Sequence, residues 1–121
     1  FKGQVVFIEF WATWCGPCRQ STPSLDVLYR KFADAGLQVL LVNVGESSAT
    51  IARWAEERFR APMLLDAERQ VASQYGVRGV PHLFVIDQDG QIIYSKSGYR
   101  GALERNLTMV FETLMHASPP A

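Results

Sequence analysis

Apolar positions along this chain follow two periods. Residues 4–10 (Gln-Val-Val-Phe-Ile-Glu-Phe) are a nearly unbroken run rich in β-branched and aromatic side chains, as expected of a central strand buried on both faces. Beyond it the spacing lengthens. Leu25, Leu28 and Phe32 share one helical face, Pro17 suits a first-turn position where its missing N–H costs nothing, and Gly36 is a stop signal, so a helix is expected over residues 17–35. Pro23 should kink that helix rather than end it, because the apolar period continues past it. Residues 37–44 (Leu-Gln-Val-Leu-Leu-Val-Asn-Val) form a second buried strand, and two strands joined by a helix imply a parallel pair with a right-handed crossover.

The second half alternates in the same way. Residues 45–49 are polar and loop-like, and a helix over 49–58 places Ile51, Trp54 and Ala55 on one side, with Trp54 in the core. Residues 62–65 make a short strand, Asp66 is placed to cap a helix over 67–75, and Gly76 ends it. Residues 83–86 and 91–97 are strands joined through the turn Asp87-Gln88-Asp89-Gly90, hence antiparallel. A closing helix over 102–116 carries Leu103, Leu107, Val110 and Leu114 at helical spacing, and residues 118–121 are a tail. The fold class is α/β: a mixed sheet of four to five strands flanked by helices on both faces.

Composition narrows this little. With 121 residues, 48% of them hydrophobic, the chain suffices for one compact domain spanning residues 1–121 and not for two. Lys plus Arg equals Asp plus Glu at 12 each, so no broad field points to nucleic acid or to an anionic membrane, and partners must be recognised locally. No apolar stretch approaches membrane-spanning length, and Phe1-Lys2-Gly3 lacks the features of a signal peptide.

The candidate chemistry lies where the first strand meets the first helix, in Trp14-Cys15-Gly16-Pro17-Cys18, which holds both cysteines of the chain. Cys15 falls at a helix N-terminus, where unpaired N–H groups and the helix dipole favour thiolate over thiol, and Cys18 follows on the same face within reach of disulfide geometry. A nucleophile and a resolving thiol are what thiol–disulfide exchange needs. Two other readings stay open. A zinc or iron–sulfur site normally takes four ligands, and the chain offers these cysteines plus His82 and His116, far apart and not at paired spacing. A purely structural disulfide would close so short a loop that it restricts the unfolded chain little. Glu9 is the second informative residue: inside an apolar strand a carboxylate is costly unless paired, protonated or used, and the alternation sets it opposite Ile8 and Phe10. The plainer reading is an edge-exposed or salt-bridged strand glutamate.

Trp14-Cys15-Gly16-Pro17-Cys18 resembles the active site of the thioredoxin superfamily, and the likeness extends to Trp11, to Glu9 six residues before Cys15, to Pro23, and to Gly76-Val77-Arg78-Gly79-Val80-Pro81, which resembles the segment leading to a cis-proline. Residues 42–87, with Pro62-Met63-Leu64-Leu65-Asp66 in their middle, are similar to the bacterial thiol:disulfide interchange proteins of the TlpA type. The resemblance implies a thioredoxin-like fold and a thiol:disulfide oxidoreductase acting through Cys15 and Cys18, with Glu9 as proton acceptor for Cys18. Trp14, Gly16, Pro17, Val80, Pro81 and Gly98 would receive the substrate, with Tyr99 adding apolar contact. It requires no metal or organic cofactor. Gly16-Pro17 matches the dipeptide of thioredoxin, whose potential is about −270 mV, and so favours a reductase.

The same resemblance implies protein thiols or disulfides as partners, among them apocytochromes or other exported thiol proteins, with a membrane electron donor. It implies a monomer, no nucleic acid, and a periplasmic or otherwise extracytoplasmic location, the cytoplasm being the alternative. TlpA-type proteins usually carry a further strand or hairpin upstream, so a start at Phe1 suggests a trimmed N-terminus. The rivals are a peroxidase of the peroxiredoxin group and a non-enzymatic peptide-binding or chaperone module. His82 stands where threonine is common after the proline; it either faces Cys15 and tunes the disulfide or points away along its strand.

Overall fold

The computed structural model describes residues 1–55, 58–99 and 101–116, without the side chains of 53–55. The expectations for Trp54 and for the tail at 118–121 therefore lie outside the described residues.

Nine elements follow in order: β1 (Val5–Trp11), α1 (Cys18–Phe32), β2 (Leu37–Val44), α2 (Ser48–Ala55), β3 (Met63–Asp66), α3 (Gln70–Gln74), β4 (His82–Ile86), β5 (Ile92–Ser97) and α4 (Leu103–His116), with a 3-10 turn at Ala33–Ala35 after α1. They build a five-stranded sheet in the order β3-β2-β1-β4-β5. β1, β2 and β3 run parallel to one another, whereas β4 is antiparallel to β1 and β5 to β4. This is the mixed α/β arrangement of the thioredoxin-like fold.

Burial explains the order. Every residue of β1 is buried, as its unbroken apolar run requires of the middle strand, whereas β5 at the edge is exposed throughout. Phe7, Phe10, Trp11, Leu25, Leu28 and Val85 are among the fully buried side chains, each contributing about 1.5–3 kcal/mol through removal from water. The pleat of β1 gives the sheet two unlike faces. The Phe7 and Glu9 face is covered by α1 and α4, which meet through Phe32 and Phe111 with ring centroids 4.9 Å apart. On the Phe10 face, Tyr75 at the end of α3 packs against Phe10 and Phe84 at 5.4 and 5.1 Å.

Element ends differ from the sequence reading where side chains reach past a turn. α1 begins at Cys18, with Pro17 as its cap at φ −60° and ψ −29°, and Gly36, at φ 108°, ends the 3-10 turn after it. α2 begins at Ser48 and Arg58 lies in a turn, so the helix does not reach Arg58. α3 is shorter than expected. Asp66 ends β3, and its carboxylate reaches across an intervening turn to accept the N–H groups of Val71 and Ala72 at 3.1 and 2.8 Å, so the cap is right but the helix starts three residues later than 67. Asp26, a second buried carboxylate, ties α1 to the segment before β3: it accepts the N–H groups of Arg60 and Ala61 at 2.8 and 2.9 Å and pairs with Arg30 at 2.8 Å.

Candidate active site

Trp11 ends β1 at the middle of the sheet, and the chain then turns through Ala12 and Thr13 to deliver Trp14 and Cys15 to the N-terminus of α1. Cys15 and Cys18 are joined as a disulfide with their Cα atoms 5.3 Å apart. The Cys18 N–H donates to Cys15 Sγ at 3.2 Å. No side chain caps α1, so the Cys15 sulfur takes the place of the usual capping oxygen, and a negative charge on it would face the positive end of the helix dipole. The sulfurs are nearly covered, Cys15 exposing 3% of its surface and Cys18 1%, while Trp14 exposes 62% and Gly16 and Pro17 are exposed beside them.

Glu9 is buried in β1 and accepts a hydrogen bond from the Thr22 hydroxyl at 2.6 Å. Thr22 follows Cys18 by one helical turn, so the carboxylate lies beneath the first two turns of α1. Burial drives its pKa up from 4.5 to about 7, against the pull of the Thr22 hydrogen bond. Burial removes the edge-exposed reading of Glu9, and no salt bridge to it is found among the described residues. Beside it opens a cavity of about 290 Å³ bounded by Ser21, Pro81, Tyr94, Lys96 and Asn106.

The Val80–Pro81 peptide is cis. Val80 and Pro81 part company across it: Pro81 lines the Glu9 cavity, while Val80 borders a second cavity, also about 290 Å³, together with Trp14 and the start and end of the α3 segment. Gly98 joins the first group, its N–H donating to the Pro81 carbonyl at 2.8 Å; its φ of 87° is one that side-chain-bearing residues rarely adopt, and the place a Cβ would take is open, with Tyr99 on the same cavity. His82 does not join the sulfurs. Its register partner on β1 is Phe10, which sets it on the face away from Glu9 and α1; its Nε2 bonds to Ser95 Oγ at 2.8 Å, its ring stacks on Phe84 at 4.6 Å, and burial lowers its pKa.

One residue of the site escaped the sequence reading. Glu46, in the loop after β2, accepts the Thr13 N–H at 2.7 Å and the Asn43 side-chain amide at 2.8 Å, and the Thr13 hydroxyl bonds to its other oxygen. Partial burial alone would raise its carboxyl, but the three donors outweigh that and hold it below its ordinary range. Glu46 therefore pins the turn that presents Trp14 and Cys15. The signal was Asn43, a polar residue within the apolar run of β2, fully buried opposite Trp11.

The profile of the Redoxin family matches residues 1–108. Thiol-disulfide oxidoreductase ResA of Geobacillus thermodenitrificans is 38% identical over 94 residues, 76% of this chain and 53% of that protein. The ResA of Geobacillus kaustophilus is 34% identical over 114 residues, 91% of this chain and 65% of its own length. The chain thus spans between about half and just under two thirds of these relatives. Among solved structures, a Chlorobium tepidum protein provisionally named thiol:disulfide interchange protein DsbE superposes with a TM-score of 0.85 at 32% identity, covering 94% of this chain and 82% of its own.

Proposed function

The chain belongs to the Redoxin family, as a thioredoxin-superfamily protein of the TlpA/ResA type, and from that premise we propose that it exchanges disulfides with protein substrates, working as a reductase. The observation that carries this is the Cys15 sulfur at the mouth of α1, receiving the Cys18 N–H and ringed by exposed Trp14, Gly16 and Pro17.

In the reduced protein the Cys15 thiolate attacks one sulfur of a substrate disulfide, a Cys15–substrate bond forms, and the other substrate sulfur leaves as a thiolate. Cys18 then loses its proton and attacks Cys15 Sγ; the remaining substrate sulfur leaves, and two electrons have passed to the substrate as the Cys15–Cys18 disulfide closes. Glu9 accepts the Cys18 proton. With a pKa of about 7 it is partly ionised at neutrality, and the adjoining cavity, lined by Ser21 and Pro81, gives water room beside its carboxyl. Val80, whose backbone makes no hydrogen bond among the described residues, would pair with an extended substrate segment; Trp14, Gly16 and Pro17 would form the rim it rests on, and Pro81 and Gly98 the side facing Glu9.

The TlpA-type resemblance supports an extracytoplasmic location, exported thiol proteins such as apocytochromes as substrates, and recharging by a membrane donor. Insulin-disulfide reduction, with Cys15→Ser as control, tests the exchange reaction: turnover by the parent alone supports it, and equal rates in both refute it. The reduction potential of the Cys15–Cys18 pair tests the direction, a value near that of thioredoxin being expected and a strongly oxidising one overturning it.

A further inference from the structure

Among the described residues, the cavity bordered by Trp14 and Val80 is lined by two arginines, Arg69 and Arg78, and by no carboxylate. Both arginines are exposed, and neither takes part in an ion pair among the described residues. The acids of the neighbouring segments are engaged elsewhere. Asp66 holds the N–H groups of Val71 and Ala72, Glu46 is turned onto Thr13 and Asn43, and Glu68 accepts from Gln70. Arg69 is also set in place by the backbone: its φ of 60° is left-handed, a conformation costly for a residue with a side chain. Its Nε stands 3.0 Å from where a Cβ on Gly45 would be, so a side chain at 45 would displace the guanidinium. On a chain with no net charge, this is a local cationic patch beside the apolar rim.

Building on the exchange reading above, we propose that this groove selects substrate segments carrying an aspartate or glutamate close to the reacting cysteine. A segment laid along Val80 advances about 3.3 Å per residue, so a carboxylate about two residues from the cysteine would come level with Arg78. Arginine suits the task because its planar fork meets a carboxylate through two parallel hydrogen bonds. Exposed pairs of this kind are weak singly. Two of them give a preference of about 3- to 10-fold, expressed mainly in association rate and screened by salt.

The test uses the Cys18→Ser protein, in which Cys15 is the only thiol, and single-cysteine peptides activated as mixed disulfides with a thionitrobenzoate group. The flanking residues are Asp/Glu, Asn/Gln or Lys, and the second-order rate of chromophore release is read. The expected acidic-to-neutral rate ratio is about 3 to 10 at low salt, falling to about one at 1 M salt, where the screening length is about 3 Å, and to one or below when Arg69→Gln and Arg78→Gln are combined. Equal rates for acidic and neutral peptides, or an acidic advantage that survives the double substitution or high salt, would overturn the proposal. Uniformly slow reaction of every peptide would count against the activated Cys15 thiolate instead, and the ratio would still report on the groove.

Discussion

Two cavities of similar size lie on either side of the Val80–Pro81 step, and their chemistry differs. The one on the α1 and α4 side encloses Glu9, a buried acid whose proton is held up to about pH 7. The one on the α3 side carries Arg69 and Arg78 and, among the described residues, no carboxylate. Val80 and Pro81 stand just before β4 and line different cavities, so a single peptide link joins the two environments. In the proposed reaction this separates proton handling from partner recognition. Substitutions on one side should change how rate depends on pH, and those on the other should change which partner is taken.

The sharpest way to break the comparison is at the sulfur between the two sides. Cys15→Ser should reduce insulin reduction to the uncatalysed level, while Cys18→Ser should also stop turnover but accumulate mixed disulfide, visible on non-reducing gels; turnover surviving the loss of Cys15 would leave neither cavity a role. Next comes the acid side. Glu9→Gln should slow release of the mixed disulfide at neutral pH by roughly 100-fold and flatten its rise with pH, as expected for loss of a positioned proton acceptor.

Glu9 also leaves a mark on stability. A folded pKa of about 7 against 4.5 unfolded means that the native state holds a proton the unfolded chain gives up. Stability should therefore fall as pH rises from 4.5 through 7, by about 3 kcal/mol in total at about 1.4 kcal/mol per unit, and Glu9→Gln should remove that slope in urea titrations across this range. An unchanged slope would mean that Glu9 is ionised in the fold.

Smaller effects sharpen the picture. Glu46→Ala leaves the Thr13 N–H and the Asn43 amide without their acceptor, and should cost about 1–2 kcal/mol in chemical denaturation together with a lower kcat/KM. Because the folded pKa of Glu46 lies below 4.5, its contribution should be present above 4.5 and lost as pH falls through the folded value. Smallest of all is His82→Thr. With the ring bonded to Ser95 on the face away from α1, the reduction potential should stay within experimental error, and a clear shift would show that the faces communicate.

Legibility tracked burial. β1 and β2 could be read because both faces of each are covered, leaving unbroken apolar runs, and the cysteine pair could be read because its chemistry depends on spacing within one turn of helix. α3 was over-extended because Asp66 satisfies helix N–H groups across a turn that local propensity does not reveal. Glu46 and Asp26 went unread for a related reason. Their partners, Thr13 at 33 residues' separation and Arg60 and Ala61 at 34 and 35, are brought close only by the folded chain. The two cavities were equally hidden, since nothing in a linear string says that Val80 and Pro81 line different ones.

Asp26 gives the reactive helix a second anchorage eight residues beyond Cys18, about 12 Å along its axis, and Pro23 interrupts the hydrogen-bond ladder between them. The helix is thus held at its waist as well as at its leading turns, where the Thr22 hydroxyl bonds to Glu9. The waist contact lies far from the sulfurs and is made to backbone N–H groups ahead of β3, so the sulfur chemistry at the helix tip does not draw on it.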